Sequence, residues 1–383
     1  MSQWRDWAAA EAGAIRAAGR WREPRDFEGG GPVGTVASGA GSTNATSVVS
    51  FASNDYLGLS QHPAVVAAAH EALDHWGAGS GSARLIVGSR RVHGELERAL
   101  AAWKEQPRAV LFPTGFAANL GVLTTFGGPD VLVCSDELNH ASIIDGCRLS
   151  HATTSVYRRA DLDHLDWLLD RRDGRRALIV SDTVFSMDGD RADLDGLCTV
   201  ARRHGALLVL DEAHAVLGPT LTSDARADVD VVQVGTLSKT LGSLGGFVAA
   251  SESFAALIVN RARSYIFTTA STPADTAAAL AALRVLTGTE GAALVARLRA
   301  HVERVQPGHG SPIVPIVCGD EQRALDASAA LLARGILVPA IRPPTVPAGT
   351  ARLRVALSAA HTAEQVDALV AALVELGFLA LST

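Results

Sequence analysis

Residues 206–240 read ALLVLDEAHAVLGPTLTSDARADVDVVQVGTLSKT. Two apolar runs of strand length, 206–211 and 229–234, each lead directly into a polar group, DEAH in the first case and GTLSKT in the second. Apolar runs without alternation are typical of parallel strands that are buried on both faces. This stretch therefore predicts part of an α/β domain.

The same pattern continues on both sides of this stretch. Ala-rich helical segments separate further apolar runs, which lie at 109–112, 131–135, 177–181 and 246–250. Such an alternation predicts a mainly parallel sheet with helices on both faces. The last hundred residues instead carry two strand-like runs, around 311–318 and 352–358, between Ala-rich helices. We therefore predict a large α/β domain and a smaller α+β C-terminal domain.

Predicted domain boundaries follow from these changes of pattern. The large domain is placed at 51–285 and the C-terminal domain at 286–383. An N-terminal helix and loop segment, 1–50, precedes them, with an amphipathic helix that Pro24 ends and a Gly/Ser/Thr-rich tract at 29–47.

Composition excludes several classes of protein. The 383 residues are 48% hydrophobic and 19% charged, which is enough apolar material for a sizeable interior. The formal net charge of -6, without a run of like charge, gives no reason to expect nucleic acid or an anionic membrane as partner. Because residues 1–6 lack a secretory pattern and no apolar run is long enough to cross a bilayer, we expect a cytoplasmic protein with a small substrate.

The four cysteines lie far apart and form no C-x-x-C pair. This spacing matches neither a disulfide framework nor a zinc site. We expect reduced, mostly buried thiols and no metal.

Lysine is nearly absent from the chain. Of 34 Lys plus Arg residues, two are lysines, Lys104 and Lys239. An amine must lose its proton to form a Schiff base, which arginine cannot do at ordinary pH. The Ser-Lys-Thr stretch around Lys239 is followed by glycines at 242, 245 and 246, a pattern that indicates backbone crowded around a bound group. Lys104 follows Trp103 on a polar helix end, where a solvated surface residue is expected.

Polar residues follow five of the predicted strands. In open α/β sheets, ligands gather beyond the carboxyl ends of the strands. The polar groups at those ends are PTGFAAN (113–119), DELNHAS (136–142), a segment at 182–189, DEAH (211–214) and GTLSKT (235–240). The first of them is a tight turn that opens a helix, whose free N–H groups suit a phosphate. The five groups therefore predict a single active site at the carboxyl edge of the sheet.

These residue types suit pyridoxal 5'-phosphate (PLP). A carboxylate must keep the pyridine nitrogen protonated, and Asp211 is placed for this role. His140 can cover the ring face, while His214 and Ser186 can donate to the phenolic oxygen. Backbone amides and hydroxyls are needed around the phosphate, and the candidates are Thr114, Gly115, Phe116, Thr236 and Ser238. Lys239 supplies the amine.

Each of these residues also has an ordinary structural explanation. A lone Thr-Gly-Phe turn usually binds nothing, a lone histidine is more often a hydrogen-bonded structural residue, and Asp211 alone could be a helix cap. Their joint occurrence at successive strand ends favours the functional interpretation.

Rival motifs are weak. The GAGSGS stretch at 77–82 looks like a dinucleotide loop, but it follows a helix-like segment that ends at Trp76 and not a strand. No G-x-x-x-x-G-K-[ST] or H-E-x-x-H pattern is present. A nucleotide or metal enzyme is therefore disfavoured.

Several motifs together resemble the α-oxoamine synthases, over about residues 50 to 360. They are SNDYLGL (53–59), TGFAAN (114–119), NHAS (139–142), DEAH (211–214) and TLSK (236–239). This family consists of fold-type-I PLP enzymes that condense an amino acid with an acyl thioester and release carbon dioxide. The resemblance implies a fold-type-I PLP-transferase in which Lys239 holds the cofactor as a Schiff base and acts as general base, assisted by Asp211 and His140. It also implies a homodimer with shared active sites, in which Thr268 and Thr269 reach the partner's cofactor phosphate.

Two C-terminal motifs, IRPPTVP (341–347) and TARLR (350–354), resemble the biotin-pathway members of the family. Those members use L-alanine and a pimeloyl thioester of CoA or of a carrier protein. The resemblance implies that Arg352 binds the amino-acid carboxylate as a bidentate partner. Arg354 shares the same strand face and is the fallback. Asn54 and Arg20 are expected to face the acyl substrate.

Two alternatives stay open. Glycine-using relatives, such as 2-amino-3-ketobutyrate CoA ligase or 5-aminolevulinate synthase, differ in substrate by one methyl group, which a pocket discriminates only modestly. A non-catalytic partner subunit with the PLP fold is the other alternative, against which the presence of Lys239, Asp211 and His140 argues.

Overall fold

The structure is a computed structural model and describes residues 2–37 and 45–380. Its helices, in chain order, are α1 (Gln3–Ala17), α2 (Pro63–Trp76), α3 (Arg91–Trp103), α4 (Gly115–Phe126), α5 (Ala141–Leu149), α6 (Leu162–Asp170), α7 (Leu194–His204), α8 (Glu252–Arg261), α9 (Arg263–Ile266), α10 (Pro273–Leu286), α11 (Thr289–Val305), α12 (Glu321–Leu332) and α13 (Ala363–Glu375). Its strands are β1 (Phe27–Gly30), β2 (Val33–Ala37), β3 (Ala45–Ser50), β4 (Arg108–Phe112), β5 (Val131–Asp136), β6 (Thr153–Tyr157), β7 (Arg176–Asp182), β8 (Leu207–Asp211), β9 (Val231–Thr236), β10 (Gly246–Ala250), β11 (Ile313–Gly319), β12 (Ile336–Leu337), β13 (Ala340–Ile341) and β14 (Ala351–Ala356).

A seven-stranded sheet forms the centre of the molecule, in the order β4-β10-β9-β8-β7-β5-β6. The strands from β9 to β6 run parallel to one another, and β10 is antiparallel to both of its neighbours. All six apolar runs of the large domain are strands of this sheet, so the predicted mainly parallel α/β architecture is confirmed. Its inner strands are buried because helices cover both faces.

Two helices begin where the sheet ends. The Thr114 side chain caps α4 by accepting from the Ala117 N–H over 3.0 Å. His140 caps α5, and its Nδ1 accepts from the Ser142 N–H over 3.3 Å. Caps of this kind satisfy N–H groups that have no partner within the helix. They fix both residues at the carboxyl edge of the sheet.

The C-terminal region contains a three-stranded antiparallel sheet, β11-β14-β13. β11 and β14 are the two strands expected there, with helices α12 and α13 beside them. A smaller α+β unit is therefore confirmed. The short strands β12 and β13 were not predicted.

The N-terminal segment contains more regular structure than a helix and a loop. α1 ends at Ala17, before Pro24, and none of its residues is buried. Strands β1, β2 and β3 follow as an antiparallel ribbon, and β3 also pairs in parallel with β12 of the C-terminal region. The N-terminal segment thus packs against the C-terminal region, and the boundaries at 50 and 285 stay a prediction. Residues 38–44 of the Gly/Ser/Thr-rich tract lie outside the described residues.

Within residues 2–37 and 45–380, no single helix combines the length and the apolarity that a membrane crossing requires. All four cysteines are buried free thiols, as expected. Among the residues with described positions, no three metal-binding side chains come together.

Candidate active site

The carboxyl ends of the strands surround a cavity of about 210 Å³. All five predicted polar groups contribute to its wall. The lining residues are Thr114, Gly115, Phe116, Asn119, His140, Ser142, Asp182, Ser186, Asp211, Ala213, His214, Gly235, Thr236, Ser238 and Lys239. The five polar groups that follow the strands thus line one cavity, as predicted.

Lys239 follows β9 and projects its amine into the site. Nζ lies 2.8 Å from Nε2 of His214. Burial lowers the pKa of Lys239, an effect that the carboxylates of Asp211 and Asp182 oppose. The amine therefore loses its proton more readily than an exposed lysine, as a reaction with an aldehyde requires.

His214 connects Lys239 to the N-terminal motif. Its Nδ1 lies 2.6 Å from the hydroxyl of Tyr56, which in turn donates to Oδ1 of Asn54 over 3.0 Å. Burial, followed by the charge of Lys239, holds the pKa of His214 well below its usual range. A neutral His214 with a proton on Nδ1 can donate to Tyr56 and accept from Lys239, which satisfies every group in the chain.

The carboxylate of Asp211 is buried and firmly held. Oδ2 accepts from Nδ2 of Asn119 over 2.6 Å, and Oδ1 accepts from the Ala213 N–H over 2.9 Å. Nδ2 of Asn119 also donates to Oγ of Ser142 over 2.9 Å. Since Ser142 contacts Nδ1 of His140 at 2.7 Å, one amide orients both the acid and the imidazole.

Asp182 lies next to Asp211 in the parallel register of β7 and β8. Its Oδ2 accepts from the His140 N–H over 2.8 Å, which fixes the backbone at the start of α5. Burial and the neighbouring Asp211 charge raise the pKa of Asp182 well above its ordinary value. Burial also lowers the pKa of His140, so a neutral imidazole faces the cavity.

The opposite end of the cavity suits an anion. The N-terminus of α4 begins there, and the hydroxyl groups of Thr236 and Ser238 lie 2.8 Å apart beside it. A Cβ on Gly115 would come within 3.3 Å of the Thr236 Cβ, and one on Gly246 within 2.4 Å of the Thr114 carbonyl oxygen. Glycine is therefore needed where these backbone segments meet.

Comparisons with known proteins agree with this geometry. The family model described as aminotransferase class I and II matches residues 46–373. An 8-amino-7-oxononanoate synthase from Anaeromyxobacter dehalogenans is 48% identical, over 96% of this chain and 94% of its own length. An 8-amino-7-oxononanoate synthase from Burkholderia cenocepacia is 49% identical, over 87% of each chain.

The chain belongs to the 8-amino-7-oxononanoate synthase family. This membership confirms the family resemblance that the motifs indicate. Among solved structures, a serine palmitoyltransferase from S. paucimobilis with bound PLP superposes with a TM-score of 0.87 at 29% identity, over 98% of each chain. An 8-amino-7-oxononanoate synthase from Francisella tularensis gives a TM-score of 0.71 at 28% identity, over 86% of this chain and 98% of its own. The fold-type-I prediction is confirmed.

PLP is the cofactor of the 8-amino-7-oxononanoate synthase family, and the cavity fits it. The anion-binding end has a helix N-terminus and hydroxyl groups for a phosphate. At the other end, Asp211 presents a fixed carboxylate for a ring nitrogen, and Lys239 an amine of lowered pKa for an aldehyde.

The two arginines of the TARLR motif have different surroundings. Both are buried on β14. The guanidinium of Arg352 forms an ion pair with Asp188 and lines a second cavity, on the far side of Ser186. Arg354 instead donates to the Ser186 carbonyl oxygen over 2.6 Å and to Oδ1 of Asn54 over 3.1 Å. Arg354 therefore lies on the side of Asn54, Tyr56 and the catalytic cavity.

Within the described residues, the other predicted site residues lie outside the cavity wall. Arg20 is exposed, and its Nη2 lies 3.7 Å from Oε1 of Glu321. Thr268 and Thr269 occupy the loop between α9 and α10, where Thr269 forms an isolated bridge with Ala83.

Sequence reasoning missed three residues that shape the site: Asn119, Asp182 and Tyr56. All three lie in the motifs or segments quoted above, so the sequence places them near the site. Their hydrogen-bond partners could not be predicted from the sequence. The interpretation of Lys104 as a solvated surface residue was wrong. Its side chain is only 14% exposed, and Nζ lies 2.6 Å from Oε2 of Glu212.

Proposed function

We propose that this protein condenses L-alanine with a pimeloyl thioester to form 8-amino-7-oxononanoate, carbon dioxide and the free thiol, in biotin biosynthesis. The convergence of Lys239, His214 and Asp211 in one cavity carries this proposal. The identity of 48% to an 8-amino-7-oxononanoate synthase over nearly the whole chain supports the choice of reaction.

Lys239 would hold the cofactor covalently through its amine, and Asp211 would accept a hydrogen bond from the protonated pyridine nitrogen. When bound, PLP supplies an electron-accepting ring that is conjugated to the reacting carbon of the substrate. The backbone at Gly115 and Phe116, with the hydroxyl groups of Thr114, Thr236 and Ser238, holds the phosphate. His140 would cover the ring face, and Ser186 would donate to the phenolic oxygen. His214, expected from the sequence to donate there too, has its one proton on the nitrogen that faces Tyr56 and would instead accept from the Lys239 amine.

Arg354 is the better candidate for the substrate carboxylate. Arg352 already has a carboxylate partner in Asp188. Among the described residues, Arg354 has no carboxylate within ion-pair distance, although it is buried. A buried cation without a counter-ion is costly, and a bound carboxylate would supply the missing charge. We therefore assign the carboxylate of L-alanine to Arg354 and keep Arg352 as a residue that fixes the loop at Asp188.

The proton transfers can be assigned to two groups. The Lys239 amine would remove the Cα proton of L-alanine, and its lowered pKa would favour the unprotonated form that this step needs. His214 accepts a hydrogen bond from that amine and keeps it oriented. His140 donates from Nε2 to the acyl carbonyl or the substrate carboxylate, since its Nδ1 accepts from Ser142. Asn54 and Arg20 remain candidates for the acyl chain.

We also propose a homodimer with shared active sites. A strip of large apolar side chains is exposed beside the loop of Thr268 and Thr269: Ile86 is 74% exposed, Val87 69% and Phe267 70%. An exposed apolar strip of this kind favours contact with another protein surface. In a twofold dimer the same strip would meet its counterpart, and the two threonines could reach the partner's cofactor phosphate.

Product analysis tests the proposed reaction. The purified protein is incubated with PLP and pimeloyl-CoA or a pimeloyl carrier protein, together with either L-alanine or glycine, and products are identified by mass spectrometry. We expect 8-amino-7-oxononanoate from L-alanine, and no product from the Lys239→Ala variant. Turnover of glycine alone would favour the glycine-using relatives. A protein that binds no PLP would support a non-catalytic subunit.

A further inference from the structure

A polar cluster outside the catalytic cavity joins the residues that follow α3 to the ends of β8 and β9. Nζ of Lys104 lies 2.6 Å from Oε2 of Glu212, whose side chain is 5% exposed. Oε1 of Glu212 accepts from Nε2 of Gln233 over 2.9 Å. Oε1 of Gln233 in turn accepts from Nε2 of Gln106 over 2.9 Å. The two glutamines and Oε1 of Glu212 are joined by hydrogen bonds. Oε2 of Glu212 is paired with Lys104 by charge, and among the described residues it accepts no hydrogen bond. The cluster is therefore one connected network of hydrogen bonds and an ion pair.

The lysine in this cluster is notable because the chain otherwise uses arginine. Its ammonium lies 2.6 Å from the Glu212 carboxylate and 3.8 Å from the ring centroid of Trp103. A compact ammonium can contact a carboxylate and an aromatic face at once, whereas a planar guanidinium needs more room. The site therefore selects a point charge beside Glu212.

The cluster holds the two strand ends that carry the catalytic residues. Glu212 directly follows Asp211, and its N–H donates to the Val234 carbonyl oxygen over 2.8 Å. Gln233 belongs to β9, which leads to Lys239. Asp211 lines the catalytic cavity, whereas Glu212 faces a separate cavity of about 480 Å³ on the reverse side. Through Glu212, Lys104 therefore anchors the turn that carries Asp211 and His214 from the side opposite the catalytic cavity.

We propose that Lys104 and Glu212 are positioning residues, which hold Asp211 and His214 against the cofactor from the reverse face of the sheet. Neither residue lines the catalytic cavity, so both act through the turn at 211–214. The inference rests on the proposed roles of Asp211, His214 and Lys239.

Removing the charge of Lys104 leaves the Glu212 anion unpaired, and removing the charge of Glu212 leaves the Lys104 cation unpaired. In Lys104→Met, the Glu212 anion favours protonation of Lys239 and should raise its pKa. In Glu212→Gln, the Lys104 cation disfavours protonation and should lower that pKa. The other charged or titratable groups around Lys239 are Asp211, Asp182, Arg354, His214 and His140, and those around the pair are Glu105 and Arg226. All seven are the same in every variant.

The experiment compares holoenzymes of the wild type, Lys104→Met, Glu212→Gln and the double variant. PLP affinity is measured by fluorescence titration, and the absorbance of bound PLP is titrated with pH. Asp166→Asn is the control, because it removes an ion pair between α6 and α7 that does not line the cavity.

We expect PLP affinity to fall roughly tenfold in each single variant, by analogy with the loss of a residue that orients a metal ligand. The pH midpoint of the absorbance should move up in Lys104→Met and down in Glu212→Gln, by up to about one pH unit. The double variant should return towards the wild-type midpoint, and the control should change only its melting temperature.

Equal shifts of the same sign, or wild-type spectra in both single variants, would overturn the positioning role. Wild-type protein that takes up no PLP would instead overturn the proposed function itself. The two failures are therefore distinguishable.

Discussion

The side-chain amide of Asn119 donates to the carboxylate of Asp211 over 2.6 Å, and both side chains are buried. This contact fixes the acid that we propose binds the pyridine nitrogen of the cofactor. Because a hydrogen bond to a charged group is worth about 1.5–3 kcal/mol, Asn119→Ala should weaken PLP binding by roughly ten- to a hundredfold.

Asn260→Ala is a suitable control for Asn119→Ala. Nδ2 of Asn260 also donates at 2.8 Å, but to a carbonyl oxygen of its own exposed helix. PLP affinities of both variants would be measured by equilibrium titration. Unchanged affinity in Asn119→Ala would show that Asp211 does not depend on this amide.

Lys239 should be the residue that borohydride fixes to the cofactor. Of the two lysines, it alone lines the cavity, while the amine of Lys104 is held by Glu212. After reduction of the holoenzyme, peptide mapping should place the pyridoxyl group at Lys239. Lys239→Ala should keep the fold, as judged by circular dichroism, and lose turnover by orders of magnitude. A pyridoxyl group on Lys104 would contradict the assignment.

Substitutions of Arg354 and Arg352 should have different effects on the KM for L-alanine and on the melting temperature. Arg354→Met should raise the KM for L-alanine by roughly a hundredfold, since a bidentate contact to the carboxylate is lost. Arg352→Met removes the partner of Asp188 instead, and should lower the melting temperature while changing that KM much less. Steady-state kinetics and thermal melts of the two variants test this. The reverse pattern would restore Arg352 as the carboxylate ligand.

His214 should make the cofactor-free protein less stable in acid. Burial, with the charge of Lys239, keeps the pKa of His214 below its value in the unfolded chain. The unfolded state therefore binds more protons, and the free energy of unfolding falls as the pH drops below about 7. This residue contributes a slope of at most about 1.4 kcal/mol per pH unit.

In His214→Gln that contribution is absent, so the free energy of unfolding should depend less steeply on pH between about 5 and 7. Urea denaturation of both proteins at several pH values measures the difference. Parallel curves for the two proteins would mean that His214 is protonated equally in both states.

The sequence predicted the large-domain sheet well because its inner strands are apolar on both faces. β6 was missed because it is the edge strand: Thr153–Tyr157 is mostly exposed and its composition is polar. The composition of an apolar run does not indicate whether the strand runs parallel or antiparallel to its neighbours. The antiparallel orientation of β10 could therefore not be predicted from the sequence. Strands of two residues, such as β12, are too short to leave a periodic pattern.

Site residues that directly follow a strand could be predicted from the sequence. Contacts between site residues that lie far apart in the sequence could not. Lys239, Asp211 and His140 belong to the first kind. Contacts such as Asn119 to Asp211 or Lys104 to Glu212 join residues about 90 to 110 positions apart, a distance over which a single sequence gives no signal. The helix end of Lys104 looked polar, but the fold covers it.

The parallel pairing of β3 with β12 has a consequence for how the enzyme is made. Asn54 follows β3 and meets Arg354 across about 300 residues. During synthesis Asn54 and β3 cannot gain these neighbours until residues 336–354 have left the ribosome. The corner that we propose binds the amino acid is therefore completed after the cofactor pocket, and a nascent chain with only that pocket folded would be unable to hold the amino acid.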